Sequence, residues 1–249
     1  MHGKNFMKKI KKVLILGANS DIGLETIKFF LDNNWHITAH YNQYNSNTKK
    51  IEKLNSKKQE ISLFKFDFVN INEFEKFIIK NQSFFKNFDS FVSLTGFQKL
   101  KNFNDFKICD FTNHINVNYF SNILIIRELL KHMRKKKWGR IVLASSIGTK
   151  FGGSDNSFMY SLSKYMNEFF PSLYKNFFKY NILINTLKIG VTNTRVVRLN
   201  KKDNLKKRIS LIPLKRMAKP SEVAKYIYFL SSEENTLITN EIINISGGE

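Results

Sequence analysis

The chain has 249 residues, enough for one sizeable core, and its 42% hydrophobic and 24% charged residues exclude a collagen-like or wholly disordered polypeptide. Lys and Arg number 41 against 20 Asp and Glu, a net charge of +21 that attracts anionic partners; the basic residues are scattered rather than clustered on one element, which favours a solvated surface over a nucleic-acid face. A single cysteine, Cys109, rules out internal disulfides and a cysteine-rich zinc site.

In chain order, the basic start through Lys12 runs into a short apolar stretch with no small-residue cleavage site, so no signal peptide is expected. No apolar run approaches the ~20 residues of a membrane span, and a cytoplasmic protein is the default expectation. Apolar strand patterns fall at 13–16, 35–39, 61–66, 90–94, 140–144, 182–187 and 241–245, with helical patterns between them at about 21–33, 47–56, 71–81, 111–137, 158–180 and 220–231. Strands alternating with helices read as repeated βαβ units in one domain, 1–249. The expected fold class is α/β, a Rossmann-type doubly wound parallel sheet of about seven strands with helices on both faces. Ligands of such a sheet bind outside the carboxyl ends of its strands.

After the first strand comes Gly17-Ala18-Asn19-Ser20-Asp21-Ile22-Gly23 and then an amphipathic helix. Glycine at 17 permits a tight turn and glycine at 23 close helix–strand packing, while the helix N-terminus offers N–H groups to a pyrophosphate. Gly17, Asn19, Ser20, Ile22 and Gly23 are therefore candidate cofactor contacts, although an ordinary βα turn shares the pattern and Asn19 or Ser20 can simply cap the helix. Asp21 is expected to point outward, away from phosphate. The second strand ends in Ala39-His40-Tyr41-Asn42-Gln43 with no carboxylate for the ribose hydroxyls, which favours NADP(H) over NAD(H) and leaves a 2′-phosphate to His40, Asn42 or a distant lysine. His40 also reads as a surface histidine. Asp67 after the third strand suits either an adenine edge or a turn cap.

The strand at 140–144 ends in Ser145-Ser146, and Tyr160-Ser161-Leu162-Ser163-Lys164 follows on a helix. Tyr160 and Lys164 are one turn apart on one face. A phenol, with a reference pKa of about 10, becomes an acid/base near neutrality when an adjacent cation favours phenolate.

With the glycine turn, Ser146, Tyr160-x-x-x-Lys164, Asn118 in Asn116-Val117-Asn118-Tyr119, and a closing pattern from Pro213-Leu214-Lys215-Arg216 through Ile245-Ser246-Gly247-Gly248, the chain resembles the short-chain dehydrogenases/reductases (SDR) of the classical type over nearly its whole length. It is most similar in lid length to 3-oxoacyl-acyl-carrier-protein reductases. The resemblance implies hydride transfer between a nicotinamide and a carbonyl/alcohol pair, with NADP(H) preferred and NAD(H) possible. Tyr160 would be the general acid, Lys164 would lower its pKa and hold the nicotinamide ribose, and Ser146 would bind the substrate oxygen. Asn118 would hold a water linking Lys164 to solvent, and Thr194 would meet the carboxamide side of the cofactor. Ser145 reads as a strand-end hydrogen bonder.

Departures from the family pattern are Asp21 for a glycine, Ser93-Leu94-Thr95-Gly96 after the fourth strand, which puts sheet-stabilising bonds in question, and Ile189-Gly190 where Pro-Gly is usual. Pro171 predicts a kink beyond the catalytic pair. Residues 192–212 are the expected substrate lid; their Arg and Lys residues suit an anionic substrate or an acidic acyl carrier protein, or are plain solvated surface. The aromatic run Tyr165, Phe169, Phe170, Tyr174, Phe177 and Phe178 points to a homodimer or homotetramer. Competing readings are the same chemistry on a sugar or polyol, and a non-catalytic nucleotide-sensing or nucleic-acid-binding protein on this fold; Phe151 and Phe158 lean toward an apolar substrate.

Overall fold

Seven parallel strands make one sheet in the computed structural model, which describes residues 10–58, 60–169, 175–198 and 202–249. The strands are β1 (Lys12–Leu16), β2 (His36–Tyr41), β3 (Ile61–Lys65), β4 (Ser90–Ser93), β5 (Gly139–Ser146), β6 (Ile182–Ile189) and β7 (Ile242–Ile245), in the order β3-β2-β1-β4-β5-β6-β7. The order reverses between β1 and β4, and the crevice at their carboxyl ends is where this topology binds ligands.

The continuous apolar runs follow from burial on both faces. In β1, Val13 and Ile15 pack with α1 (Asp21–Asp32) and the last helix, through Ile27, Phe30, Val223 and Ile227. Leu14 and Leu16 face the opposite layer, where Phe74 and Ile78 of α3 (Ile71–Lys80) meet Ile125 and Leu129. Between these lies α2 (Ser46–Lys58). The start of α1 is capped as its sequence suggests: Ser20 Oγ accepts the Gly23 N–H at 3.0 Å.

The helix expected at 111–137 is three pieces: α4 (Ile108–Ile115), a π turn (Asn116–Phe120) and α5 (Ser121–Lys136). Inside the π turn the Asn118 carbonyl accepts the side-chain amides of Asn122 (3.0 Å) and Asn167 (2.9 Å), which take the place of regular helix bonding there. The helix expected at 158–180 is also shorter. It runs as α6 (Phe158–Tyr165) and then tight turns, Met166–Phe169 and Lys175–Tyr180. Past Tyr165 the backbone bonds to the sheet instead, with Thr186 Oγ1 of β6 donating to the Asn167 carbonyl at 3.0 Å. Pro171 and the kink expected at it, with Phe170 and Tyr174, lie outside the described residues. The segment 192–212 contains a helical turn (Arg195–Arg198) and α7 (Lys202–Ser210), and α8 (Pro220–Ser231) leads to β7. Among the described residues no helix is long and apolar enough to cross a membrane.

Candidate active site

The glycine turn is shaped by contacts that only a missing side chain permits. Gly17 has φ +65°, and a Cβ there would lie 2.7 Å from the Leu94 carbonyl oxygen; a Cβ on Gly23 would lie 2.5 Å from that of Ala18. Asn19 braces the turn from the side, its amide donating to the Gln43 carbonyl (2.8 Å) and to Thr48 Oγ1 (3.1 Å). Asp21 lies outside the lining of the main cleft but is not free in solvent. Its carboxylate accepts the Asn47 amide at 2.8 Å and the backbone N–H of Arg195, so it ties the turn to α2 and to segment 192–212. Partial burial pushes this carboxyl up, but the Arg195 N–H, the Asn47 amide and the nearby guanidiniums outweigh it and hold it below its usual value.

His40 needs correcting as a phosphate contact. It is buried at the carboxyl end of β2, its Nδ1 accepts the Gly17 N–H (3.3 Å), and its Nε2 lies 2.9 Å from the Phe66 carbonyl. The ring stacks on Phe68 at 4.3 Å between centroids. Donation from Gly17 places the ring proton on Nε2, where Phe66 accepts it. Burial pushes His40 down to about 4. Both nitrogens are committed inside the protein, Nδ1 to the glycine turn and Nε2 to the Phe66 carbonyl. Asp67 is exposed and caps its own turn, accepting the Val69 N–H at 3.1 Å.

On the other side of the crevice, β5 delivers Ser146 and α6 delivers Tyr160 and Lys164. Ser146 Oγ accepts the Gly148 N–H at 3.2 Å and lies near enough to the Tyr160 side chain to pull its phenol down. Lys164 is buried and donates from Nζ to the Thr95 carbonyl at 2.8 Å. Burial without a carboxylate partner pushes it down to about 7. Burial pushes the Tyr160 phenol up, against an opposing pull from Ser146. Lys164 is not among the causes of the phenol's shift, its Nζ being turned to the Thr95 carbonyl.

The altered 93–96 segment keeps its bonds: Leu94 N–H donates to the Leu16 carbonyl (3.0 Å) and Ser93 Oγ lies 3.1 Å from Thr95 Oγ1. Asn118, fully buried, accepts the Phe97 N–H (2.8 Å) and donates to the Phe97 carbonyl (2.9 Å) and Ser163 Oγ (2.9 Å). Its side chain thus clamps the loop after β4 to α6. Gly190 is explained by Ser246, whose Cα would lie 2.6 Å from an added Cβ.

Ser20, Ile22, Ser146, Tyr160, Lys164 and Thr194 line a single cleft of about 1310 Å³, with Leu100, Phe151, Val196 and Leu211 exposed around it. Gly17, Asn19 and Gly23 shape the turn at its edge, while His40, Asp67 and Asn118 stand outside its lining. Two participants escaped the sequence reading. Thr95 acts through a carbonyl, which carries no residue signature. Arg195 extends from segment 192–212 until its Nη1 lies 3.5 Å from Ser46 Oγ at the start of α2; its signal was a guanidinium in a lid, indistinguishable by sequence from its basic neighbours.

A family model described as enoyl-(acyl carrier protein) reductase matches residues 17–249. The 3-oxoacyl-[acyl-carrier-protein] reductase FabG of Buchnera aphidicola subsp. Baizongia pistaciae is 28% identical over 97% of this chain and 98% of its own. The FabG of Aquifex aeolicus is 32% identical over a match spanning 64% of each chain. Among solved structures, "ElxO with NADP Bound" superposes with a TM-score of 0.82 at 28% identity, covering 96% of this chain and 98% of that one.

Proposed function

Because the chain belongs to the short-chain dehydrogenase/reductase family, we propose that it is an NADP(H)-dependent reductase of ketones, acting on 3-oxoacyl chains carried as thioesters on an acidic acyl carrier protein. The observation that carries the reading is the meeting, in one cleft, of Ser146, Tyr160 and Lys164 with the mouth of the glycine turn. The NADP-bound neighbour and the FabG relatives support the cofactor and the substrate class.

The residues fit a dinucleotide. The missing Cβ atoms of Gly17 and Gly23 let the chain fold tightly enough to present the N-terminus of α1 to a pyrophosphate. Ser20, Ile22 and Thr194 would line its path, Asp67 its adenine end, and Lys164 its nicotinamide ribose. With His40 committed to Gly17, the cation for a 2′-phosphate is Arg195, held over Ser46 at the start of α2. Bound NADPH supplies the hydride. Ser146 would donate its hydroxyl proton to the substrate oxygen while its Oγ goes on accepting the Gly148 N–H. Tyr160 gives its proton to the developing alkoxide, and the phenolate left behind is stabilised by charged Lys164, one turn away. Asn118 keeps the Thr95 loop and α6 in register so that Lys164 stays within reach.

The exposed apolar side chains Leu100, Phe151, Val196 and Leu211 suit an acyl chain better than a polyol. Tyr165 and Phe169, exposed next to the catalytic helix, support a homodimer or homotetramer.

Nucleotide titration by fluorescence followed by turnover on 3-oxoacyl, 2-enoyl and ketose substrates tests the reading. Tighter binding of NADPH than NADH, with oxidation only by the 3-oxoacyl thioester, is the expected result. Turnover on the enoyl thioester alone would move the chemistry to a C=C bond. Salt-sensitive DNA binding without turnover on any of them would replace the enzyme reading altogether.

A further inference from the structure

Glu168 follows Lys164 by one helical turn and is nearly buried, yet it has no part in the chemistry above. Its Oε1 accepts two hydroxyls, Ser145 Oγ at 2.7 Å and Thr149 Oγ1 at 2.7 Å. Its Oε2 lies 3.1 Å from Nζ of Lys188, which is itself only 14% exposed. Ser145 and Lys188 are register partners on β5 and β6, so the carboxylate sits across the carboxyl ends of both strands. Thr149 Oγ1 is also 2.8 Å from the Ser146 carbonyl oxygen, placing its one proton between that carbonyl and the carboxylate. The two hydroxyl residues bracket Ser146, and both are fastened to the same oxygen.

A buried carboxylate is retained only when its charge is paired and its lone pairs are filled. Here every partner comes from the segment bearing Ser146 or from the strand beside it. We propose that Glu168 is a positioning residue for carbonyl reduction: by holding Ser145 and Thr149 it fixes where the Ser146 hydroxyl stands relative to Tyr160. The proposal rests on the reading of Ser146 as the group that meets the substrate oxygen.

The test is a double-mutant cycle between Glu168→Leu and Ser146→Ala, reading kcat, the NADPH Kd and the melting temperature, with Glu168→Gln and the pair Ser145→Ala/Thr149→Val in parallel. Glu168→Leu is expected to lower kcat about tenfold while the NADPH Kd stays within twofold, and to add almost nothing in the Ser146→Ala background. Ser145→Ala/Thr149→Val should reproduce the loss, and it carries the test if Glu168→Leu does not fold. A second readout needs no turnover. The Tyr160 phenol, followed as the difference in phenolate absorbance against Tyr160→Phe, should titrate higher in Glu168→Leu, as in Ser146→Ala, because the pull of Ser146 is lost. Equal losses in the wild-type and Ser146→Ala backgrounds, or an unmoved Tyr160 titration, would overturn the proposal. If the wild-type protein reduces no carbonyl, the functional reading fails, while the phenol titration still decides whether Glu168 sets the Ser146–Tyr160 contact.

Discussion

The two walls of the cleft are held by opposite means. Residues 17–23 form their wall through backbone: Gly17 and Gly23 touch carbonyl oxygens at distances no side chain allows, and the Gly17 N–H is held by a buried imidazole. Residues 145–168 form theirs through side chains, with Ser145, Ser146, Thr149, Tyr160, Lys164 and Glu168 joined to one another or to Thr95. Two buried ionisable groups on the second wall also differ. Glu168 has a cation and two hydroxyls, whereas Lys164 has a neutral carbonyl and is pushed down to about 7. A compensated charge holds structure; an uncompensated one is left able to trade its proton. Substitutions on the second wall should therefore separate chemistry from folding, and those on the first should not.

The largest separation is expected for Tyr160→Phe, which removes the proton donor and should lower kcat by about 10²–10⁴-fold while the NADPH Kd and melting temperature hold; loss of nucleotide binding as well would break the contrast. His40 comes next. Its folded pKa of about 4 lies below the ordinary 6.5, so as pH falls the unfolded chain takes the proton first. Stability is thus whole above pH 6.5 and declines between 6.5 and 4, by up to about 3 kcal/mol from this group. Protonation at Nδ1 also removes the acceptor for Gly17, but the folded chain takes that proton only near pH 4, so nucleotide affinity should hold while stability declines and fall only as the pH approaches 4. Urea unfolding at pH 7 and 4.5 would check the first and NADPH titration from pH 7 down to 4 the second, with His40→Gln flattening the stability change. Gly17→Ala forces a left-handed residue against the Leu94 carbonyl and should cost about 2 kcal/mol, with melting temperature and NADPH affinity falling together. Arg195→Gln is the smallest: an increase of about tenfold in the NADPH Kd with the NADH Kd unchanged, read by fluorescence titration.

All seven strands were legible, because each is an apolar run bounded by turn residues, and so was the placing of Tyr160 and Lys164 one turn apart on a helix. What the pattern hid was hydrogen bonding across long separations. The apolar period continues through 116–120, so nothing marked the π turn; its cause is two asparagine amides, one of them on Asn167, 49 residues away. Helix α7 in segment 192–212 was not among the helical patterns because Lys202–Ser210 is mostly charged and polar, with Leu205 and Ile209 alone to mark a face. His40 did leave a signal. It follows the buried Ala39 and lies near Phe64, Phe66 and Phe68, surroundings that favour a ring with both nitrogens bonded inside the protein. Glu168 left none, since its partners belong to β5, the turn after it and β6.

The strand order has a consequence for how the chain is made. β2 docks on one side of β1 and β3 on β2; β4 then takes the other side of β1, and β5, β6 and β7 each join the edge left by the strand before. No strand is inserted between two that are already paired. The sheet can therefore grow in step with synthesis from the ribosome, exposing a single fresh edge at each stage, and the crevice closes late, once β5 and α6 have joined a glycine turn already in place.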